Sequence, residues 1–197
     1  MDITERTRAT TEVHLLQEML RDASTHDALT GLYTRRFLEE SFGRELLLAE
    51  RSQYPLSVVM ADLDHFTAVN DRNGHLAGDE VLRVFGDLLK QSARASDIVC
   101  RYGGEEFLLV FPRMTTEQSV ERAEGLRRKL EATEVHHGAA RITVTASFGV
   151  ASFPHDGRTC DELIATADHA LYAAKTSGRN RVVASPSHGP APGLHLV

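Results

Sequence analysis

The stretch Arg101-Tyr102-Gly103-Gly104-Glu105-Glu106-Phe107 constrains this chain more than any other. Apolar runs flank it, Ile98-Val99-Cys100 before and Phe107-Leu108-Leu109-Val110-Phe111 after. Apolar runs that close to a Gly-Gly pair predict two strands joined by a tight hairpin. Glycines at the tip can adopt φ > 0 and leave no side chain above the turn, so a bulky anionic ligand has room to approach the backbone. Glu105 and Glu106 then stand beside that opening. Taken alone, a Gly-Gly pair followed by acids describes an exposed turn with solvated charges. The surrounding sequence is what turns it into a candidate site.

The chain has 197 residues, enough for one domain with a real core. Residues 5–24 read as a helix with Val13, Leu16, Leu20 and Ala23 on one stripe. That stripe is two heptads long. It suits either a helix lying on its own domain or the end of a dimeric signalling stalk, and does not decide whether the helix is a coiled coil. Thr34 is the N-cap expected for a helix to Ser52, with Phe37, Phe42 and Leu46 to Leu48 on its apolar face. Leu56 to Asp64 predicts a buried strand ending in carboxylates. Leu76 to Ser92 predicts an amphipathic helix carrying Val81, Leu82, Phe85, Leu88 and Leu89. Thr115-x-x-Gln118 and Thr159-x-x-Glu162 are capping-box signatures for helices to about Ala132 and about Thr176. Between them Ile142 to Phe153 alternates as a strand, with Gly149 marking a bulge. Arg181 to Ala184 adds a short edge strand. The tail, 185–197, holds three of the six prolines and reads as disordered. The expected organisation is a signalling or linker helix over 1–25, a domain over 26–184 and the tail.

Strand, helix, strand-hairpin-strand, helix, strand is the split order of ferredoxin-like and palm-type folds. The expected class is therefore α+β, a central antiparallel-to-mixed sheet flanked by helices. In that topology the first and third strands are antiparallel neighbours. Asp62, ending the first, then lies beside Glu105, starting the third, although they are more than forty positions apart. Carboxylates brought that close repel one another unless a cation neutralises them. An all-oxygen donor set suits Mg²⁺, which keeps waters and bridges substrate phosphates. Asp62 with Glu105, and with Glu106, would hold two Mg²⁺ or Mn²⁺ ions against a triphosphate, one activating the attacking oxygen and one steadying the leaving group. The competing reading is that Asp62 and Asp64 only cap the next helical turn.

Asn70 to Asp79 is polar and punctuated by Gly74 and Gly78 between two structured runs. An Asn side chain can serve the O6 and N7 acceptors of guanine, and a carboxylate can accept from N1–H and N2–H₂. Asn70 and Asp79 thus form a candidate guanine reader, with His75 as a structural hydrogen-bonder near the turn. Lys175 and Arg179 place two cations four residues apart across a helix end. They complement the helix dipole or serve as phosphate ligands. A net charge of −6 argues against binding a nucleic-acid polymer or an anionic membrane. Cys100 and Cys160 match no metal motif and read as reduced core residues of a cytoplasmic protein. No 18-residue apolar run exists, and the Asp-, Glu- and Thr-rich start is unlike a signal peptide.

Taken together, the motifs resemble the GGDEF domain, the diguanylate cyclase family of bacterial signalling proteins. The resemblance covers roughly Asp27 to Val183. It runs in order through Asp27-Ala28-Leu29-Thr30-Gly31-Leu32, Asp62-Leu63-Asp64-His65-Phe66, Asn70-Asp71 with Gly74-His75 and Gly78-Asp79, the Arg101–Phe107 stretch, Ser147-Phe148-Gly149-Val150, and Ala167-Asp168 through Lys175 to Arg179-Asn180. It implies that Asp62 and Glu105 bind metal, with the Leu63 carbonyl completing the shell, Glu106 adding to it and Glu105 acting as general base. Asn70 and Asp79 become the guanine pair, Lys175 and Arg179 the phosphate contacts, and Phe66, Gly103 and Gly104 further substrate contacts. The implied reaction condenses two GTP into cyclic di-GMP with loss of two pyrophosphates, between two copies that each hold one GTP. A homodimer, at least transient, and an upstream sensor or receiver domain or partner protein follow from that reading. Arg94-Ala95-Ser96-Asp97 stands where the family carries its product-inhibition motif.

One position departs from the family. A Lys commonly follows the Phe of the Asp62 segment and offsets transition-state charge; here it is Thr67. Loss of one such group can cost a few kcal/mol. Thr67 therefore favours a rival reading, a catalytically weak receptor for GTP or cyclic di-GMP. A third reading, a related palm-like cyclase acting on ATP, fits Asp62 and Glu105 but not Asn70 and Asp79.

Overall fold

The computed structural model describes residues 25–186; the helix expected over 5–24 and the tail from 187 onward lie outside the described residues. In chain order the elements are β1 (Tyr33–Thr34), α1 (Arg35–Ser52), β2 (Leu56–Leu63), α2 (Phe66–Asn73), α3 (His75–Ser92), β3 (Ile98–Arg101) and β4 (Glu106–Pro112). They continue with α4 (Thr116–Glu131), β5 (Val135–His137), β6 (Ala140–Ile142), β7 (Ala146–Phe153), α5 (Cys160–Thr176) and β8 (Val182–Ala184). Thr34 caps α1 by accepting from the Phe37 amide. Both expected capping boxes form, at Thr115/Gln118 and Thr159/Glu162.

The main sheet has the order β1-β3-β4-β2-β7-β8. β2 runs antiparallel to both β4 and β7, while β1 and β8 pair parallel with β3 and β7. All eight residues of β2 are buried, as are all eight of β7. A strand covered on both faces needs no polar alternation, which is why Leu56 to Leu63 reads as a continuous apolar run. Its side chains still divide between two cores. Val59, Ala61 and Leu63 join Phe85, Phe107 and Phe148 on the side of α3 and α4. Leu56, Val58 and Met60 join Leu38, Phe42 and Leu171 on the side of α1 and α5. Phe85 meets Phe107 edge-on at 4.9 Å, a favoured aromatic geometry. The mixed central sheet flanked by helices is the class that the element order predicts.

Five local expectations are corrected. The polar stretch 70–79 is not a loop: α2 runs to Asn73, turns at Gly74 (φ 85°) and hands over to α3 at His75. Within α2 only Phe66 is buried, so no apolar periodicity announces the helix. His75 is exposed and makes no side-chain hydrogen bond among the described residues. Neither Asp62 nor Asp64 caps α2, whose N-cap is His65 in a left-handed conformation (φ 57°). The strand expected from Ile142 begins only at Ala146; Ile142 instead closes a small β5–β6 hairpin. Three-residue strands are too short for period-2 patterning to show. Gly149 is no bulge, because it pairs with Met60 in unbroken register. A Cβ there would lie 2.1 Å from the Ala167 carbonyl oxygen and 2.2 Å from the Leu171 amide, so the missing side chain lets α5 rest against the sheet.

Candidate active site

The hairpin forms as expected, with Arg101 opposite Phe107. The Tyr102 and Gly103 amides close the turn by donating to the Glu106 carbonyl at 2.8 and 3.1 Å. Neither Gly103 nor Gly104 has a positive φ, contrary to expectation. The reason for glycine at 103 is close approach instead: a Cβ there would stand 2.6 Å from Glu106 Oε2. Gly104 is open on that side.

β2 and β4 carry the acids together. Asp62 lies opposite Glu106 in the ladder, and the Leu63 amide donates to the Glu105 carbonyl at 3.3 Å. Asp62 is buried, and burial is the main reason its carboxyl sits above the ordinary aspartate range. Asp64 pushes the same way, against the Lys175 ammonium, which lies 2.8 Å from Asp62 Oδ2, and the nearby Arg179. Glu105 is raised likewise, by burial first and then by Asp62 and Glu106, again with Lys175 opposing. The site therefore holds more negative charge than Lys175 balances. Among the described residues no three His, Cys, Asp or Glu side chains are gathered into a ready-made metal cluster. The donor chemistry still fits a hard cation: hard carboxylate oxygens, raised by burial and mutual repulsion, are the groups that added positive charge relieves.

Lys175 thus contacts a carboxylate, whereas the sequence assigned it to phosphate. Arg179 is exposed, with φ 61°, between Gly178 (φ 118°) and Asn180 (φ 46°). The sequence missed what fixes this unusual segment. Asp64, also buried, accepts from Ser147 Oγ and Thr145 Oγ1 at 2.7 Å each and from the Asn180 amide at 3.0 Å. Asn180 is further held by Arg127 and Glu131 at 2.8 and 2.7 Å. The adjacency of Ser147 to the strand core is the only sequence signal that could have exposed this network.

A second unforeseen brace stands behind the turn. Arg101 donates to the Gly104 carbonyl at 2.7 Å and to both Asp27 oxygens at 3.2 Å. Asp27 also accepts from the Thr30 amide and hydroxyl. Burial alone would raise Asp27, but Thr30 and Arg101 together hold it below the usual carboxylate range.

Asn70 and Asp79 come from α2 and α3, brought close by the Gly74 turn. A Cβ on Gly78 would lie 1.9 Å from Asn70 Oδ1 and 3.2 Å from Phe66 Cζ, so the glycine opens the slot that the amide and Phe66 fill. Asn70 Oδ1 is buried and has no hydrogen-bond partner. Such an atom costs free energy until a donor reaches it. Thr67 is exposed on the first turn of α2. Arg94 and Asp97 lie apart from all of this, ahead of β3 at its opposite end, with Arg94 exposed and Asp97 buried. No helix among the described residues is long and apolar enough to cross a membrane.

Residues 24–181 match the family described as "Diguanylate cyclase, GGDEF domain". The chain is 39% identical over 175 residues to diguanylate cyclase DosC of Escherichia coli (strain K12), covering 86% of this chain and 38% of that protein. It is 39% identical over 159 residues to response regulator PleD of Caulobacter vibrioides, covering 80% of this chain and 35% of that protein. It therefore spans well under half the length of these relatives. Among solved structures, the coiled coil and GGDEF domain of DgcB from Caulobacter crescentus, in complex with c-di-GMP, superposes with a TM-score of 0.82 at 30% identity, covering 92% of this chain and 97% of that one. With Asp62 opposite Glu106 on adjacent strands and the Gly-Gly turn leading into the second of them, the chain belongs to the GGDEF domain family of diguanylate cyclases.

Proposed function

We propose that this chain is a diguanylate cyclase domain that condenses two GTP into cyclic di-GMP with release of two pyrophosphates. The observation that carries the reading is the Asp62–Glu105 end of β2 and β4, where raised carboxylates stand beside Lys175. DosC, similar over most of this chain, is named for that activity. Each copy would hold one GTP, so two copies must face each other, and an upstream domain or partner would control their meeting.

Mg²⁺ or Mn²⁺, two ions per site, would be held by Asp62, Glu105, Glu106 and the Leu63 carbonyl. Such ions would supply charge neutralisation for the triphosphate and the leaving pyrophosphate. The chain's own groups do the rest. Glu105, raised above the ordinary glutamate range, is a better proton acceptor for a ribose hydroxyl than a solvated glutamate. The proton leaves the attacking 3′-oxygen for its carboxylate as the new bond to phosphorus forms and pyrophosphate departs. Lys175 and exposed Arg179 supply positive charge for the phosphates, while Gly103 and Gly104 keep the approach free of side chains. The Asn70 side-chain N–H groups, with the Asp79 carboxylate, read the base beside Phe66. Product inhibition is assigned to Arg94 and Asp97.

Incubation with GTP or ATP and Mg²⁺, followed by product identification, tests the reading. Adenine mismatches both readers; at roughly 1–3 kcal/mol per stranded polar group, GTP is favoured on the order of 10²–10⁴-fold. Equal turnover of ATP would remove the guanine assignment. One observation favours the receptor alternative: Lys175 already pairs with Asp62, and Thr67 offers no second cation. GTP binding without cyclic product would select it.

A further inference from the structure

The Arg94–Asp97 turn is not the open pair that a ligand would find ready. Arg94 is exposed and its side chain has no polar partner among the described residues, while the Asp97 side chain is only 1% exposed. Asp97 Oδ2 accepts from the Arg94 amide at 2.7 Å and from the Arg122 guanidinium at 2.6 Å. Arg122 reaches it from α4, lies over the Phe111 ring at 4.2 Å, and also donates to the Ser92 carbonyl and to Met114 Sδ. Asp97 Oδ1 is buried with no partner. The turn borders a cleft of about 260 Å³ lined by His26, Tyr33, Lys90, Arg94 and Asp97.

We propose that Arg122 is a latch on this site, holding the carboxylate that a guanine edge must engage. The proposal rests on the reading of Arg94–Asp97 as the product site. A guanidinium and the N1–H, N2–H₂ edge of guanine present the same kind of paired N–H donors to a carboxylate. Arg122 uses that chemistry incompletely, reaching one oxygen and leaving the other unsatisfied. A guanine edge can satisfy both. Product therefore binds by exchange: Asp97 turns from Arg122 toward the cleft, where Arg94 and Lys90 supply positive charge for the phosphates. The apparent affinity is reduced by the fraction of molecules in which the latch is open. A purely structural staple tying α4 to the end of α3 would show no such link to ligand.

The test is calorimetric titration of cyclic di-GMP into the wild type, Arg122→Met, Arg122→Lys and Arg94→Ala, each with a thermal melt. Arg122→Met is expected to bind product on the order of ten-fold tighter than the wild type. Arg122→Lys, too short to hold the Ser92 carbonyl and the carboxylate together, is expected to fall between them. Wild-type protein with ¹⁵N-labelled arginine gives a readout that needs no variant. Guanidinium hydrogen exchange at Arg122 should quicken when product saturates the site. Equal or weaker binding by both Arg122 variants, or exchange at Arg122 unmoved by product, overturns the latch. Product binding that Arg94→Ala leaves intact overturns the product-site reading and the latch with it, whereas binding lost in Arg94→Ala but indifferent to Arg122 sinks the latch alone.

Discussion

Asp62 and Asp97 are buried to nearly the same degree, 5% and 7% exposed, at opposite ends of one sheet, yet their surroundings differ in kind. Asp62 has one ammonium partner that is itself 31% exposed, and it faces Asp64 and Glu105 as further negative charges. Asp97 has a main-chain amide and a guanidinium that lies over an aromatic ring. Burial alone therefore does not tell what a carboxylate is suited to bind. The balance of charge around it does: the first end is short of positive charge and suited to receive a cation, and the second already has a cation of its own, which a ligand must displace.

The sharpest way to break this contrast is to remove each acid in turn. Asp62→Ala and Glu105→Ala should each lower cyclic di-GMP formation by 10²-fold or more, because transition-state charge loses its counterpart. Neither should lower the melting temperature, since a carboxylate raised by burial opposes folding at neutral pH. Unchanged turnover in either variant would dismantle the assigned site. Asp97→Ala should do the reverse, costing about 3 kcal/mol of stability by leaving Arg122 buried without its counterion. A melt indistinguishable from the wild type would show that the pair is not buried in solution.

Gly78→Ala probes the base end of the site. Its Cβ would collide with Asn70 Oδ1, so KM for GTP should rise by about ten-fold while turnover changes less. A shift confined to kcat would mean that Asn70 does not bind the base.

Acidity sharpens the comparison further. Asp62 and Glu105 bind protons more readily folded than unfolded, so their destabilising effect is full above their raised folded values and disappears as pH falls below the ordinary carboxylate range. Asp27 acts oppositely, as does Glu124, which Arg127 and then Arg128 hold low, since their lowered values give stability above the ordinary range that is lost as pH falls through the folded ones. Between the two, mild acid should leave the fold intact but cut turnover, because Glu105 must be ionised to accept a proton. Activity and melting temperature measured across the same pH series would reveal this; parallel loss of both would contradict it. The smallest effect is expected from Thr67→Lys, a rise in turnover of a few-fold with little change in apparent GTP affinity. No gain would indicate that Lys175 or Arg179 already fills that role.

What the sequence made legible was set by how local the signal is. The hairpin, both capping boxes and the β2–β4 pairing follow from runs of neighbouring residues and one topological rule, so Asp62 and Glu105 could be placed together. Asp64, Thr145, Ser147 and Asn180 meet only in three dimensions, through hydroxyls and an amide that are common everywhere. The same holds for the Arg122–Asp97 pair, whose members are 25 positions apart. α2 was hidden for a different reason, since a helix with one buried residue has no stripe to read.

Gly78 has a consequence for how such a site can change over generations. A pocket lined by large side chains can be retuned in small steps, each tolerated before the next. Here the smallest possible step, a single methyl group, already lands 1.9 Å from the amide oxygen of Asn70. The crossing of α2 over α3 and the slot for Asn70 depend on the same missing atom, so one cannot drift without disturbing the other. Variation at this end of the molecule is thereby channelled to the exposed positions around the slot, such as Thr67 and Leu76, while the slot itself stays fixed.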